Sequence, residues 1–335
     1  MRTKRHYRSI TLKSISTALI VALTTGCSPN QEAENAVPLE PLDILIDWQA
    51  EPTYLGIYFA KEQGYFLSGG YDVTITQSWG ANQAVAAVAN GKHIIGTASG
   101  GATILGRNNG ANVNSLGVLY PKIPSVVYGL NSSGITVPED LKGKRVGVYP
   151  SSITVNEFDA FLNLNEVQKN DVEIVSLSGG DIPYLLESKV DAVLHYTEMS
   201  PVLVETTMDI PTESSPKTFE MKLSDYGVEG YGLNIIANPQ AYQDNPAKLI
   251  QIKDIIVKGY VEGCANDRKA VESFLELFPD KSPKYVEASW ARVCTLLGNE
   301  PGTQNDEGWQ KTIDLYKGLN LLSVEVSPSN ILGSK

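Results

Sequence analysis

The feature that most constrains the fold is an alternation of short apolar runs with helix-like stretches. In its first occurrence, strand-like runs cover residues 42–46, 71–76 and 93–98, and helix-like stretches cover residues 54–63 and 82–90. Strand, helix and strand in this order predict parallel strands joined by right-handed crossovers. The chain is therefore expected to fold as an α/β protein.

A second set of the same kind follows. Strand-like runs cover residues 125–130, 145–149, 172–176 and 192–196, with helix-like stretches at residues 151–162 and 182–188 between them. One more strand is predicted at residues 232–237, and helices fill most of residues 246–317. Such a chain is longer than one compact core usually requires. Two α/β lobes are expected.

The N-terminus predicts the compartment. It carries five basic residues, followed by an apolar run at residues 15–23 and then Cys27. A basic region, a short apolar region and small residues before a cut are typical of a secretory signal peptide, here residues 1–26. The apolar run is shorter than the ~20 residues of a permanent membrane helix.

The position of Cys27 directly after Gly26 resembles the bacterial lipobox, in which the cysteine receives lipid and becomes the new N-terminus. Thr24 departs from that pattern, since Leu is usual there. The alternative is an ordinary secreted protein. Residues 27–41 are polar, acidic and interrupted by proline, so we expect a lipidated flexible tether.

The charge balance excludes some partners. The chain has 27 basic and 38 acidic residues, and the basic leader has no acidic residue. The protein after removal of the leader is therefore strongly acidic. Such a surface repels phosphate backbones, so nucleic acid is not an expected partner. Attachment to a membrane is expected through the lipid only.

Two further cysteines, Cys264 and Cys294, lie in helix-like segments. In an oxidising compartment they either form a disulfide or remain two free buried thiols, and both alternatives stay open at this point. Neither has a second cysteine or a histidine at ligand spacing, so no metal site is expected. No cofactor is expected either.

Several motifs occur in an order that is familiar from one family. They are GIYFAKEQGYF at residues 56–66, VANGK at 88–92, PEDLKGKRVG at 138–147, VDAV at 190–193 and GLNIIAN at 232–238. With Asp47-Trp48 before them, they resemble the SsuA/THI5-like family of substrate-binding proteins of ABC importers. This family includes binders of thiamine precursors, sulfonates and nitrate. The likeness covers almost all of the chain after the tether.

This resemblance implies a two-lobed type II periplasmic-binding fold with a ligand cleft between the lobes. Lobe 1 would comprise residues 42–122 with 228–335, and lobe 2 residues 123–227. The implied function is that of the extracytoplasmic solute-binding component of an ABC importer. Its partners would be a small-molecule ligand and the importer permease, and the protein would be a monomer without enzymatic activity.

Ligands of open α/β sheets bind beyond the carboxyl ends of the strands, so residues at strand ends are the site candidates. The aromatic candidates are Trp48, Tyr54, Tyr58 and Trp79. Flat rings of this kind stack on flat ligands, although the same residues also occur in cores. Core packing is the alternative for Tyr58 in particular.

The polar candidates follow the later strands. Ser99 and Gly100 end the third strand, where backbone N–H groups bind anionic or carbonyl groups. The lobe 2 candidates are Ser151, Ser152, Thr154, Tyr196 and Glu198. The serines alternatively serve as helix caps, and we keep both interpretations. Glu198 would accept hydrogen bonds from an amino group of a heterocycle.

The departures from the family limit the ligand. Binders of thiamine precursors usually carry an Asn-His pair where this chain has Thr53 and Tyr54. An aromatic residue at the second place resembles the riboflavin receptors and favours a flat heterocycle, either a thiamine pyrimidine precursor or riboflavin-like. Alternatives are sulfonate or nitrate binding, and a sensing module without transport. Related pyrimidine-forming enzymes carry a cysteine cluster that this chain lacks.

Overall fold

The structure, a computed structural model, describes residues 38–150, 152–178, 180–207 and 218–332. The predicted signal peptide, Cys27 and Ser151 lie outside the described residues. Lipidation of Cys27 therefore stays a prediction. No helix in the described part of the chain is long and apolar enough to span a membrane.

The described residues form ten strands and thirteen α-helices. The strands are β1 (Glu40–Ile46), β2 (Tyr71–Gln77), β3 (Ile95–Ser99), β4 (Asn114–Val118), β5 (Ser125–Leu130), β6 (Arg145–Val148), β7 (Glu173–Ser176), β8 (Ala192–Tyr196), β9 (Thr218–Lys222) and β10 (Leu233–Ala237). The helices are α1 (Leu55–Glu62), α2 (Tyr65–Ser68), α3 (Ala81–Ala89), α4 (Gly100–Asn108), α5 (Thr154–Leu164), α6 (Asp181–Leu186), α7 (Ser200–Thr207), α8 (Pro239–Asp244), α9 (Pro246–Ala265), α10 (Asp267–Leu277), α11 (Pro283–Leu296), α12 (Asp306–Gly318) and α13 (Pro328–Leu332).

The strands form two five-stranded sheets. The first has the order β2-β1-β3-β10-β4 and the second the order β7-β6-β8-β5-β9. In the first sheet β1 is parallel to β2 and β3, as the alternation predicts. Strand β10 enters antiparallel between β3 and β4. The fold is therefore α/β with two mixed sheets.

The second sheet repeats this plan. Strand β6 is parallel to β7 and β8, whereas β5 is antiparallel to β8 and β9. The expectation of parallel strands is thus right for the β-α-β units. It does not extend to β10 in the first sheet or to β5 in the second, since each of these strands is antiparallel to both of its neighbours. Local periodicity identifies these strands but carries no information about their direction in the sheet.

The first strand begins at Glu40, which pairs with Tyr71. The predicted tether therefore extends too far at residues 40 and 41, because Glu40 and Pro41 already belong to the parallel β1–β2 ladder. Their polarity concealed the strand, whose burial begins only at Leu42. The predicted lobe boundaries at residues 122 and 227 stay a prediction.

Helices α1 and α9 pack against each other through two glycines. A Cβ atom on Gly259 would lie 2.2 Å from the Gly56 carbonyl oxygen, so only glycine permits this approach. The contact brings Tyr260 of α9 beside the segment before α1, where its hydroxyl donates a hydrogen bond to the Thr53 carbonyl oxygen at 2.7 Å. A packing contact thereby positions Thr53.

Cys264 of α9 and Cys294 of α11 form a disulfide, with Cα atoms 5.6 Å apart. This geometry lies in the normal range for such bonds. Of the two alternatives for these cysteines, the free thiols are wrong. The disulfide joins α9 to α11, and both helices pack under the first sheet in the largest buried apolar cluster.

Candidate functional site

A cavity open to solvent lies where residues from both sheets meet, and the space free of protein atoms there, open solvent included, is about 390 Å³. Elements around the first sheet contribute Asp47, Thr53, Tyr54, Ser99, Tyr120, Gly232 and Leu233. Elements around the second sheet contribute Pro124, Glu157, Tyr196 and Glu198. Asp47, Ser99 and Tyr196 stand at or directly after the carboxyl ends of strands, which is the usual location of ligands in open α/β folds.

Asp47 follows β1 and is nearly buried. Its Oδ1 accepts hydrogen bonds from the Thr97 hydroxyl at 2.5 Å and the Tyr54 hydroxyl at 3.0 Å. The backbone N–H of Asp47 donates in turn to the Thr97 hydroxyl oxygen at 3.1 Å. Burial raises the pKa of Asp47, and the two hydroxyl donors oppose that rise. The carboxyl group is thereby held in one orientation.

Glu198 follows β8 and is 2% exposed. Its Oε1 accepts a hydrogen bond from the Thr53 hydroxyl at 3.3 Å, whereas Oε2 has no hydrogen-bond partner among the described residues. Burial raises the pKa of Glu198 to about 7, and the Arg292 charge acts in the opposite direction. A buried acceptor without a partner is unfavourable unless a ligand completes it.

Glu157 lies on α5 and is also buried. It accepts hydrogen bonds from the hydroxyls of Ser125, at the start of β5, and of Tyr316 on α12, the latter at 3.4 Å. Burial raises the pKa of Glu157 to about 7. Helix α5, strand β5 and helix α12 thus meet at the carboxyl group of Glu157.

The three carboxyl groups share one environment. Burial raises the pKa of Tyr196 well above its ordinary value, and three carboxylates raise it further. Those carboxylates belong to Glu157, Asp47 and Glu198. The described lining of the cavity contains neither lysine nor arginine. The arrangement suits a ligand with several N–H donors or a positive charge, because carboxylates accept hydrogen bonds and attract cations.

Aromatic rings supply the remaining walls. Tyr54 and Tyr120 are buried, and Tyr196 is half-buried at the end of β8. Rings of this kind pack on flat ligands. Among the described residues, no group of three or more histidine, cysteine or acidic side chains has the geometry to hold a metal ion.

Four of the predicted site residues line the cavity together: Tyr54, Ser99, Tyr196 and Glu198. The Ser99 hydroxyl also accepts a hydrogen bond from the Ala102 N–H at 3.2 Å and so caps α4. Gly100 does not line the cavity. Its N–H donates to the Gly232 carbonyl oxygen at 2.7 Å, so this donor is already occupied.

In the second half of the predicted site, the Thr154 hydroxyl donates to the Ser152 hydroxyl oxygen at 2.9 Å. The Ser152 oxygen also accepts from the Thr154 N–H at 3.3 Å. Ser152 therefore serves the start of α5, which was the alternative interpretation for the serines, and neither Ser152 nor Thr154 lines the cavity. Ser152 nevertheless interacts with Tyr196, which does.

Tyr58 lies in the core and not on the cavity. It is 7% exposed, and its ring centroid lies 5.6 Å from that of Phe274 and 5.1 Å from that of Phe278. The spacing of Tyr54 and Tyr58 correctly predicted that both lie on α1 or directly before it. Phe274 of α10 and Phe278 directly after it pack on the Tyr58 ring, whereas Tyr54 lines the cavity.

Trp48 and Trp79 are 42% and 71% exposed and lie outside the cavity lining. Their rings meet edge to face, with centroids 6.5 Å apart. They follow β1 and β2, which are neighbours in the sheet. The structure therefore brings the two predicted tryptophans together, beside Asp47 and at the same edge of the first sheet.

The sequence interpretation missed Asp47, Thr53, Tyr120 and Glu157. Asp47 had a usable signal, since it directly follows β1. Tyr120 follows β4, a strand that was not predicted. Glu157 lies inside a helix, where nothing in the local pattern distinguishes a cavity residue from a solvent-exposed one.

Comparison with known proteins agrees with this architecture. Residues 51–270 match the family model described as NMT1/THI5 like. The formylaminopyrimidine-binding protein of Halalkalibacterium halodurans is 25% identical over 90% of this chain and 92% of its own. The 4-amino-5-hydroxymethyl-2-methylpyrimidine phosphate synthase THI11 of Saccharomyces cerevisiae is 23% identical over 84% of each chain.

Among solved structures, the periplasmic aliphatic sulphonate binding protein SsuA of Escherichia coli superimposes with a TM-score of 0.70 at 17% sequence identity. The match covers 88% of this chain and 92% of that protein. At this identity the likeness concerns the fold alone. The family match covers more than half of the chain, and the protein belongs to the NMT1/THI5-like family and has the fold of periplasmic binding proteins.

Proposed function

We propose that this protein is the extracytoplasmic solute-binding component of an ABC importer that captures a small flat heteroaromatic nutrient. The ligand class we favour is the aminopyrimidine precursors of thiamine, and binding would proceed by closure of two lobes on the ligand. The observation that carries the proposal is the cavity with three buried carboxyl groups and no basic residue in its described lining.

An aminopyrimidine matches this cavity in its chemistry. Its exocyclic amino group and a protonated ring nitrogen both present N–H donors, and Glu198 Oε2 is an acceptor without a described partner. Charge-assisted hydrogen bonds of this kind are stronger than neutral ones. The flat ring would pack against the tyrosine rings that line the cavity.

Sulfonate or nitrate binding is the second candidate, and the structural likeness to a sulphonate-binding protein favours it. The cavity argues against it. An anion would meet three carboxyl groups without a lysine or arginine in the described lining, and like charges in a desolvated site repel strongly. We therefore rank an anionic ligand below an amine-bearing heterocycle. A riboflavin-like ligand is the alternative to the pyrimidine, and a sensing role without transport is the alternative to import.

We propose that this protein binds its ligand without catalysing a reaction, although relatives in yeast are named synthases. The formylaminopyrimidine-binding relative matches over most of both chains. The Cys264–Cys294 disulfide fits an oxidising, extracytoplasmic compartment. Cys27 would carry the lipid that attaches the protein to its membrane, and mass spectrometry of the N-terminal peptide would test that attachment.

The test of the proposed function is a thermal-shift screen followed by calorimetry on the purified protein. The panel contains 4-amino-5-hydroxymethyl-2-methylpyrimidine, a formylaminopyrimidine, riboflavin, taurine and nitrate. A ligand present at 100 times its Kd stabilises the folded state by about 2.7 kcal/mol. We expect the melting temperature to rise with a pyrimidine. A rise with taurine or nitrate alone would refute the amine-bearing ligand.

A further inference from the structure

Resting on the proposed function, we propose that Arg292 of α11 is a positioning residue of the ligand site, which fixes the turn that carries Glu198 and supplies the positive charge that this carboxylate faces. Arg292 does not line the cavity. It would therefore act on ligand binding only through Glu198.

The turn after β8 is anchored from one face of α11. Arg292 Nη1 donates a hydrogen bond to the Thr197 carbonyl oxygen at 2.7 Å. Ser289, three residues earlier on the helix, donates from its hydroxyl to the Glu198 carbonyl oxygen at 2.6 Å. Residues three apart on a helix lie on the same face, so two consecutive carbonyl groups are held by one surface. This fixes the backbone from which the Glu198 side chain enters the cavity.

Arg292 also connects this turn to the edge of the second sheet. The same Nη1 atom lies 2.5 Å from Glu220 Oε1 on β9, and the Thr197 hydroxyl donates to Glu220 Oε2 at 3.0 Å. The side chains of Arg292 and Glu220 are only 26% and 21% exposed. A guanidinium group can satisfy a carbonyl oxygen and a carboxylate in one plane, which a lysine ammonium does less well. This geometry favours arginine over lysine at position 292.

Arg292 also contributes a positive charge near Glu198. The groups that face Glu198 from the packed elements include the hydroxyls of Tyr120, Tyr196, Tyr260 and Tyr285, which carry no positive charge at neutral pH. Asp47, a further acid, lines the same cavity. Burial raises the pKa of Glu198, and a backbone hydrogen bond, the Thr53 hydroxyl and the Arg292 charge lower it, so that Arg292 is the cation among these groups. Its removal should leave Glu198 protonated at a higher pH.

Thr53, which donates to Glu198 across the cavity, is held from a helix that is covalently joined to α11. Its carbonyl oxygen accepts from Tyr260 of α9, and the disulfide of Cys264 and Cys294 links α9 to α11. The donor to Glu198 is therefore held by α9 and the turn that carries Glu198 by α11, and the disulfide joins these two helices. This pair explains why a residue outside the cavity can control a side chain inside it.

The experiment compares Arg292→Gln and Arg292→Lys with the wild-type chain. Arg268→Gln is the matched control, since Arg268 is exposed on α10 and pairs with Glu272 on the same helix. The first readout is a carboxyl-carbon NMR titration of ligand-free protein with labelled glutamate, in which Glu198→Gln assigns the signal. The second is the Kd for 4-amino-5-hydroxymethyl-2-methylpyrimidine between pH 6 and 9.

We expect Arg292→Gln to raise the titration midpoint of Glu198 and to weaken pyrimidine binding by about tenfold near neutral pH. Arg292→Lys should keep the midpoint near that of the wild type but still weaken binding several-fold, and it carries the test if the glutamine variant does not fold. The Arg268→Gln control should change neither quantity.

An unchanged Glu198 midpoint in Arg292→Gln would overturn the inference. So would a lysine variant that binds as tightly as the wild type. The two proposals fail separately, because a wild-type protein that binds no pyrimidine would refute the proposed ligand, while the ligand-free titration would still decide the role of Arg292.

Discussion

The Thr53 hydroxyl donates a hydrogen bond to Glu198 Oε1 at 3.3 Å and thereby connects the segment after β1 with the turn after β8. These residues are 145 positions apart in sequence and come from elements of different sheets. The second carboxylate oxygen of Glu198 has no partner among the described residues. One carboxyl group therefore joins both halves of the site and retains an acceptor for a ligand.

Replacing Glu198 by glutamine should weaken the binding of an aminopyrimidine by about 10- to 100-fold. Glutamine preserves the shape and can still accept from Thr53. Its amide nitrogen cannot accept an N–H bond from the ligand where Oε2 does. Calorimetry on Glu198→Gln and on the control Glu272→Gln, whose side chain is exposed, would measure the difference. Equal affinities for the two variants would contradict this role of Glu198.

The ligand-free protein should be more stable at pH 5.5 than at pH 8. Burial raises the pKa of Glu157 and of Glu198 from 4.5 to about 7, so the folded state binds these protons more tightly than the unfolded state does. The stabilisation is complete below the unfolded pKa and is lost as the pH rises through about 7. Each group contributes on the order of a few kcal/mol.

Urea denaturation at a series of pH values measures this dependence. Hydrogen bonds from the side chain and backbone of Arg145 lower the pKa of Asp191. The contribution of Asp191 to stability is therefore lost as the pH falls, which is the opposite trend, but only in more acidic solution. The double variant Glu157→Gln, Glu198→Gln should show a flatter profile between pH 5.5 and 8. A wild-type free energy of unfolding that rises with pH across this interval would contradict the predicted net uptake of protons on folding.

Trp48→Ala should lower the ligand affinity by ~1–3 kcal/mol. The indole is 42% exposed beside Asp47, and a large exposed aromatic residue next to a cavity suits a ring that covers the ligand when the lobes close. Leu67→Ala is the control, since Leu67 is exposed but lies on α2 outside the cavity lining. An affinity by calorimetry that equals that of the wild type would eliminate stacking by Trp48.

Removing the disulfide should destabilise the protein by ~3–4 kcal/mol, because the bond closes a loop of 30 residues in the unfolded chain. The double variant Cys264→Ser, Cys294→Ser and the reduced wild-type protein should both show the decrease in urea denaturation. Reductant should leave the double variant unaffected. A wild-type midpoint that does not respond to complete reduction would contradict the prediction.

Several features could be predicted because they depend on local periodicity. Strands β5 and β8 have the predicted bounds, and Cys264 and Cys294 lie in helices as expected. The β-α-β units are parallel because alternating apolar runs separated by helices permit little else. Tyr54, Ser99, Tyr196 and Glu198 were predicted from their positions at or after strand ends, and the structure places all four in the cavity lining.

Other features were decided only by the tertiary structure. Tyr54 and Tyr58 share a helix face by their spacing, but the packing of α10 buries Tyr58 among phenylalanines, while Tyr54 reaches the cavity. Glu157 lines the cavity, and its carboxyl group accepts a hydrogen bond from Tyr316, 159 positions away. Periodicity specifies which side of an element is apolar. The elements that cover that side, and hence burial, pKa and membership of the site, come from contacts between distant parts of the chain.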